Sequence, residues 1–368
     1  MERAVARIDF GAIRANCERL KAELDRAELC AVVKADGYGH GALGCAEAAL
    51  AGGATRLAVA TAGEAEQIGR RLQHVSLLTM GALTAEEVDA AISAGSELSV
   101  WREDFRRLVA DRARAHGHPA RLHVKHDSGM GRLGNRDAAE TIELARACAA
   151  DPDLELTGIW THFATADELD STFFDEQLER FDEVAKAVKA EHPAAVVHAA
   201  NSAAVLRDKR SHYEMARCGV AIYGLDPFQH DPADQGLRPA LSLRAYLADV
   251  KRFPAGASAG YGRKWKAPVD TWVGVIPLGY GDGVRRALSN NADVLVGGRR
   301  YPLVGTVSMD NLTIELGPET DVEPGEEAVL IGRQGDEEIL VEEVARRLET
   351  INYEIACAIS PRVPRRPA

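Results

Sequence analysis

The strongest constraint in this sequence is its rhythm. Between Leu29 and Tyr223, short apolar runs alternate with amphipathic segments, eight runs in all. Residues 29–33, 57–60, 75–79, 97–100, 121–124, 154–160, 195–199 and 218–223 read as strands. The first of them, 29–33, is apolar throughout rather than alternating, as a strand covered on both faces requires. Helices fill the gaps. Ile13, Cys17, Leu20 and Leu24 share one helical face behind Asp9, a candidate N-cap. Thr61 with Glu64 and Thr84 with Glu87 are capping boxes, and 43–50, 105–115, 137–149 and 173–190 read as further helices. The spacings leave room for the crossover that parallel strands need. The eightfold count therefore predicts an N-terminal (β/α)8 TIM-like barrel, with a doubly wound open sheet as the alternative.

After Tyr223 the pattern changes. Residues 226–238 are rich in Pro and polar side chains and read as a linker. Beyond them, 243–250, 271–278, 293–296, 311–316 and 328–331 are strand-like between Pro/Gly turns, and only 341–348 looks helical. The expected organisation is an α/β chain, with a barrel over 1–230 and a mainly β C-terminal domain over 231–368. A length of 368 residues favours two domains. No run approaches the roughly 20 apolar residues of a membrane helix, so no membrane role is expected. The net charge of −12 argues against a nucleic-acid surface. Six cysteines without a CxxC pair suggest reduced thiols and a cytoplasmic protein. No spacing points to a metal.

Chemistry collects where the strands end. The first run exits at Lys34, followed by Ala35-Asp36-Gly37-Tyr38-Gly39-His40-Gly41, with three glycines to turn the backbone. Burial there would lower the lysine pKa, favouring the neutral amine that attacks a carbonyl. A lysine that merely snorkels to solvent is the plainer alternative. Lys125 to Arg132 follow the fifth run, His162 the sixth, Asn201 and Ser202 the seventh, and Arg217 opens the eighth. Active sites of such barrels sit at the C-terminal strand ends, and the last two loops often hold phosphate. Asn201-Ser202 at a helix start, with Gly219-Val220, offers N–H groups for that. Each taken singly has a plain reading, as a helix cap, a core histidine or a turn.

The stretch Ala31-Val32-Val33-Lys34-Ala35-Asp36-Gly37-Tyr38-Gly39-His40-Gly41 resembles the pyridoxal-phosphate lysine motif of bacterial alanine racemases. The likeness continues, in order, through Asp127-Ser128-Gly129-Met130-Gly131-Arg132-Leu133-Gly134, Thr161-His162-Phe163-Ala164, Ala200-Asn201-Ser202 and Arg217-Cys218-Gly219-Val220. In the second half it includes Gly260-Tyr261-Gly262, Gly279-Tyr280-Gly281-Asp282-Gly283, Ser308-Met309-Asp310 and Asn352-Tyr353-Glu354. The resemblance implies a racemase of alanine, working as a homodimer with shared active sites. It implies that Lys34 holds pyridoxal 5'-phosphate, and that Tyr38, Asn201, Ser202, Gly219, Val220 and Tyr353 bind its phosphate. It further implies Arg217 at the pyridine nitrogen, supported by His162, and Arg132 at the cofactor's phenolic oxygen and the substrate carboxylate. Tyr261 and Met309 would come from the other subunit, with Tyr280 and Asp310 at the entrance. In relatives Lys125 can be carbamylated, and Ser308 stands where some carry cysteine.

These residue types suit racemisation, which needs a base on each face of the substrate. Lys34 would serve one and Tyr261 the other, given positive charge near the phenol. Two readings compete with it. A non-catalytic pyridoxal-phosphate-binding barrel would need neither Tyr261 nor the β domain. A racemase of serine or of a broader amino-acid range would differ in few side chains, since a methylene or hydroxyl changes discrimination by only about 1–3 kcal/mol.

Overall fold

The computed structural model describes residues 2–368. Contacts divide them into two compact units, one of residues 13–37 and 42–222, the other of residues 2–12, 38–41 and 223–368.

The opening strand β1 (Ala4–Ile8) belongs to the second unit. A helix over Phe10–Glu23 follows, and Asp9 Oδ1 accepts the Ala12 N–H at 2.9 Å as expected of the cap. Eight parallel strands then close into a barrel: β2 (Glu28–Val32), β3 (Arg56–Val59), β4 (Ser76–Thr79), β5 (Glu97–Val100), β6 (Ala120–Lys125), β7 (Leu154–Trp160), β8 (Val196–His198) and β9 (Met215–Cys218). This is the TIM-like barrel of the sequence, and closure rules out the open sheet. Both Thr-Glu capping boxes form, and Asp137 caps the helix over Ala138–Ala150. The strand expected over 218–223 is corrected in its bounds. The eighth strand ends at Cys218, and Val220–Tyr223 is a 3-10 turn. Ser202 Oγ accepts the N–H groups of Gly219 and Ala221, drawing them out of the ladder.

The second unit is built on a ten-stranded sheet. The segment expected as one strand over 243–250 is two, β10 (Leu241–Tyr246) and β11 (Asp249–Phe253), split at Leu247. A small ribbon of β12 (Ser258–Ala259) and β13 (Trp265–Lys266) precedes β14 (Thr271–Ile276). β15 (Asp293–Val296), β16 (Arg299–Val304), β17 (Leu312–Gly317), β18 (Glu327–Gln334), β19 (Glu337–Ile339) and β20 (Arg365–Pro367) complete the set. The path runs β11-β14-β17-β16-β15-β18-β10-β1-β20, with β19 beside β18. Helices cover Val341–Arg347 and Asn352–Ala358, so the expectation of a single helix here is corrected. The supposed linker is also structured. Asp226 is fully buried, accepts from the Phe228 and His230 N–H groups, and gives its own N–H to Glu342 Oε1 at 3.0 Å.

Candidate active site

Lys34 lies two residues past the end of β2, and the turn after it is unusual. Ala35, Asp36, Gly37 and Tyr38 all have φ between 51° and 62°, a left-handed turn in which only one residue is glycine. Left-handed backbone costs a residue with a Cβ of order 1–3 kcal/mol unless its surroundings impose it. Here they do. The Ala35 N–H donates to Glu64 Oε1 at 2.6 Å, the Gly37 N–H to the Val33 carbonyl at 2.9 Å, and the Ala42 N–H to Asp36 Oδ1 at 2.9 Å. Glu64 Oε2 also accepts the Ala60 and Thr61 N–H groups, so one carboxylate ties the lysine turn to the next strand–helix junction.

The barrel register brings the other barrel candidates to the same end. Cys30 pairs with Arg217 where β2 meets β9, and Lys125, Trp160 and His198 lie side by side on β6, β7 and β8. Trp160 forms a platform: His198 stacks on it at 5.7 Å and 4°, the Arg217 guanidinium lies 4.6 Å from its ring centre, and Lys125 Nζ lies 4.1 Å away. Arg217, buried at 3 % exposure, donates to His198 Nδ1 at 2.8 Å and to the carbonyls of Thr161 and Ala199. His162 Nδ1 is 3.3 Å from the same guanidinium. Arg132 rides on a loop folded around Asp127, whose carboxylate accepts the Gly129 and Gly131 N–H groups. Asn201 caps the helix over Ser202–Arg207 through the Ala204 N–H, so its capping role is real.

The electrostatics of this mouth are one-sided. Burial, followed by the charges of Arg217 and Arg132, pulls Lys125 down to about 7, with Asp127 opposing. Burial and the same cations, with Lys125 and Lys34, hold His162 well below the ordinary imidazole range. Burial lowers Arg217 itself to about 10. Cations gathered around Lys34 in this way suit an anionic ligand.

The second unit assembles the remaining candidates. Tyr38, Tyr223 and Tyr353 cluster, with ring centres of Tyr38 5.1 Å from Tyr223 and 6.1 Å from Tyr353. Gly39 permits this approach, since a Cβ there would lie 2.4 Å from the Ala356 carbonyl of the helix carrying Tyr353. Elsewhere the Tyr280 and Gly281 N–H groups donate to the Ser308 and Met309 carbonyls, joining the two turns that carry Tyr280, Met309 and Asp310. Arg362 bridges Asp310 and the buried Asp282. Tyr261 sits on a neighbouring turn, where Thr306 Oγ1 donates to its carbonyl at 2.8 Å. Tyr261 is 72 % exposed, Met309 52 % and Tyr280 43 %, far more than such side chains usually are.

Two family models match this chain. The N-terminal domain of alanine racemase matches residues 8–227 and its C-terminal domain residues 240–367. The chain belongs to the alanine racemase family. Alanine racemase from Symbiobacterium thermophilum is 39 % identical over 98 % of this chain and 96 % of that protein. Alanine racemase 1 of Bacillus subtilis is 40 % identical over 98 % and 92 %. Among solved structures, alanine racemase from Streptomyces lavendulae superposes with a TM-score of 0.95 at 36 % identity, covering 100 % of this chain and 97 % of that one. Within this family frame the sequence reading missed Trp160, His198, His123 and Glu97. The signal was present, as two histidines and a glutamate inside buried barrel strands, but strand periodicity does not say which of them meet.

Proposed function

We propose that this protein is an alanine racemase in activity as well as family, interconverting L-alanine and D-alanine with pyridoxal 5'-phosphate held at Lys34. What carries the proposal is the cation-rich barrel mouth, where Lys34, Lys125, Arg132 and Arg217 influence the same neighbours. A ligand with a phosphate and a phenolate, joined by a substrate carboxylate, supplies the missing negative charge. When bound, this cofactor draws into its ring the charge left when the substrate α-proton departs.

The chain's own residues then have distinct tasks. Lys34 Nζ and Tyr261 Oη move the α-proton, one on each face of the substrate. Asn201, Ser202, Gly219 and Val220 bind the phosphate, with Tyr38 and Tyr353. Arg217 faces the pyridine nitrogen as a donor-only group, and His162 supports it. Arg132 orients the phenolic oxygen and, with Met309, the substrate carboxylate; Tyr280 and Asp310 line the entrance. Tyr261, Met309, Tyr280 and Asp310 act on the site of a second copy in a homodimer, and their exposure favours that reading. A lysine with Lys125's depressed pKa has the neutral amine needed for carbamylation, in which the amine adds CO2, releases a proton to solvent and leaves an anion beside Arg132. The product would supply D-alanine for peptidoglycan in the cytoplasm.

Borohydride reduction of the purified yellow protein, followed by peptide mapping, should place the cofactor on Lys34. Label on Lys125 or Lys264 would overturn the assignment. A racemisation assay across free amino acids, with alanine fastest, tests the substrate separately.

A further inference from the structure

A line of buried polar side chains runs through the barrel interior beneath Arg217. Arg217 Nη1 lies 2.8 Å from His198 Nδ1; His198 Nε2 lies 2.8 Å from His123 Nδ1; His123 Nε2 lies 2.5 Å from Glu97 Oε2. His123 and His198 are 0 % exposed and Glu97 is 2 % exposed, so water does not complete these contacts. Gly158 makes the line possible. It faces His123 in the β6–β7 register, and a Cβ on it would sit 2.2 Å from His123 Nδ1. At the far end Glu97 also meets Arg56 and Arg121, whose charges balance its own.

The two ends determine the direction of every bond between them. A guanidinium only donates, so His198 must offer a lone pair at Nδ1 and carry its proton on Nε2. That proton can go only to His123 Nδ1, which is then an acceptor, and the His123 proton lies on Nε2. Glu97, as a carboxylate, accepts it. A further proton on either ring would set two donors face to face at one of the three contacts. Burial and the charge of Arg217 also keep His198 well below the ordinary imidazole range, and the His123 hydrogen bond, with nearby arginines, keeps Glu97 ionised despite its burial.

We propose that Glu97 and His123 are positioning residues that act through His198, locking both histidines as neutral Nε2–H tautomers and thereby fixing the orientation of the Arg217 guanidinium. The tautomers follow from the barrel alone; the consequence for turnover rests on the racemase reading above. No proton travels along the line, because a shift of the chain toward Arg217 would require a guanidinium to accept one.

The test is 15N NMR of histidine-labelled protein, with and without pyridoxal phosphate, the ring signals assigned using His123→Gln. Both rings should show Nε2–H and bare Nδ1, and the His198 signals should stay unchanged from about pH 5.5 to about pH 8.5, a window that brackets ordinary imidazole titration. Glu97→Gln keeps an acceptor oxygen and should keep both tautomers. Glu97→Leu removes the acceptor, and Gly158→Ala pushes a methyl into the His123–His198 contact; each should shift the His198 ring signals. Glu97→Leu should also lower kcat about tenfold with KM within about twofold, and Glu97→Gln should restore most of it. An Nδ1–H or doubly protonated His198 in the unaltered protein would overturn the proposal. So would folded Glu97→Leu and Gly158→Ala variants whose His198 signals do not move. If those variants fail to fold, the tautomers of the unaltered chain and of Glu97→Gln decide. Failure to trap cofactor on Lys34 would remove the racemase reading and leave the tautomer result standing.

Discussion

Lys125 shows how neighbours set the behaviour of one residue at the barrel mouth. Buried among cations, its folded pKa of about 7 lies below the ordinary lysine value of 10.5. Between those values the unfolded chain keeps a proton that the folded chain has released. This group therefore makes stability rise with pH from about 7 to about 10.5, and contributes no slope below or above. Lys125→Met should remove that part of the slope, read as the urea midpoint against pH in CO2-free buffer. Equal slopes in the two proteins would show the amine to be less perturbed than its surroundings suggest. Because the neutral amine is also the form that takes up CO2, a carbamate 13C signal from labelled bicarbonate should grow as pH passes through 7, and should be absent in the variant.

At the scale of elements, the left-handed turn after Lys34 shows how one capping residue can serve two purposes. Glu64 and Glu87 occupy equivalent positions in their Thr-Glu boxes. Only Glu64 reaches beyond its helix, accepting the Ala35 N–H. Glu64→Ala should cost about 1–3 kcal/mol, combining the lost return bond of the capping box with a lost partner in a strained turn. Glu87→Ala should cost about 1 kcal/mol, the one return bond to the Thr84 N–H, with the Thr84 cap itself intact. The distinguishing measurement is cofactor retention on dialysis: Glu64→Ala should shed pyridoxal phosphate faster, and Glu87→Ala should not. Equal retention would mean that the turn holds its shape without Glu64.

For the whole molecule, the distribution of candidates over two units has a direct consequence. The barrel carries Lys34, Arg132 and Arg217, whereas Tyr261 and Met309 stand exposed on the other unit. If a site is shared between copies, mixing Lys34→Ala chains with Tyr261→Phe chains should restore activity from two nearly inactive parents. Each mixed dimer then has one intact site and one doubly damaged site. An equal mixture should recover about one quarter of normal activity, since about half of the dimers are mixed. No recovery, with mixed dimers confirmed by mass, would place both residues in one chain's site.

The sequence alone determined what depends on neighbours in the chain. The apolar runs, the capping boxes at Thr61 and Thr84 and the Asp9 cap are local, because strand burial and orphan N–H groups leave their mark within a few residues. The eightfold alternation made the barrel legible, and the ordered motifs made the family legible. Errors arose where a distant partner decides. Residues 220–223 are apolar enough for a strand, yet Ser202 bonds the N–H groups of Gly219 and Ala221 and the chain turns instead. β1, as long as β2, and β20, only three residues, lie outside the alternating pattern and exist because each pairs with a segment far along the chain. The meeting of Glu97, His123, His198 and Arg217 was likewise a tertiary decision. Their side chains come from four strands, and only closure of the barrel, with a glycine at 158 to leave room, sets them in line.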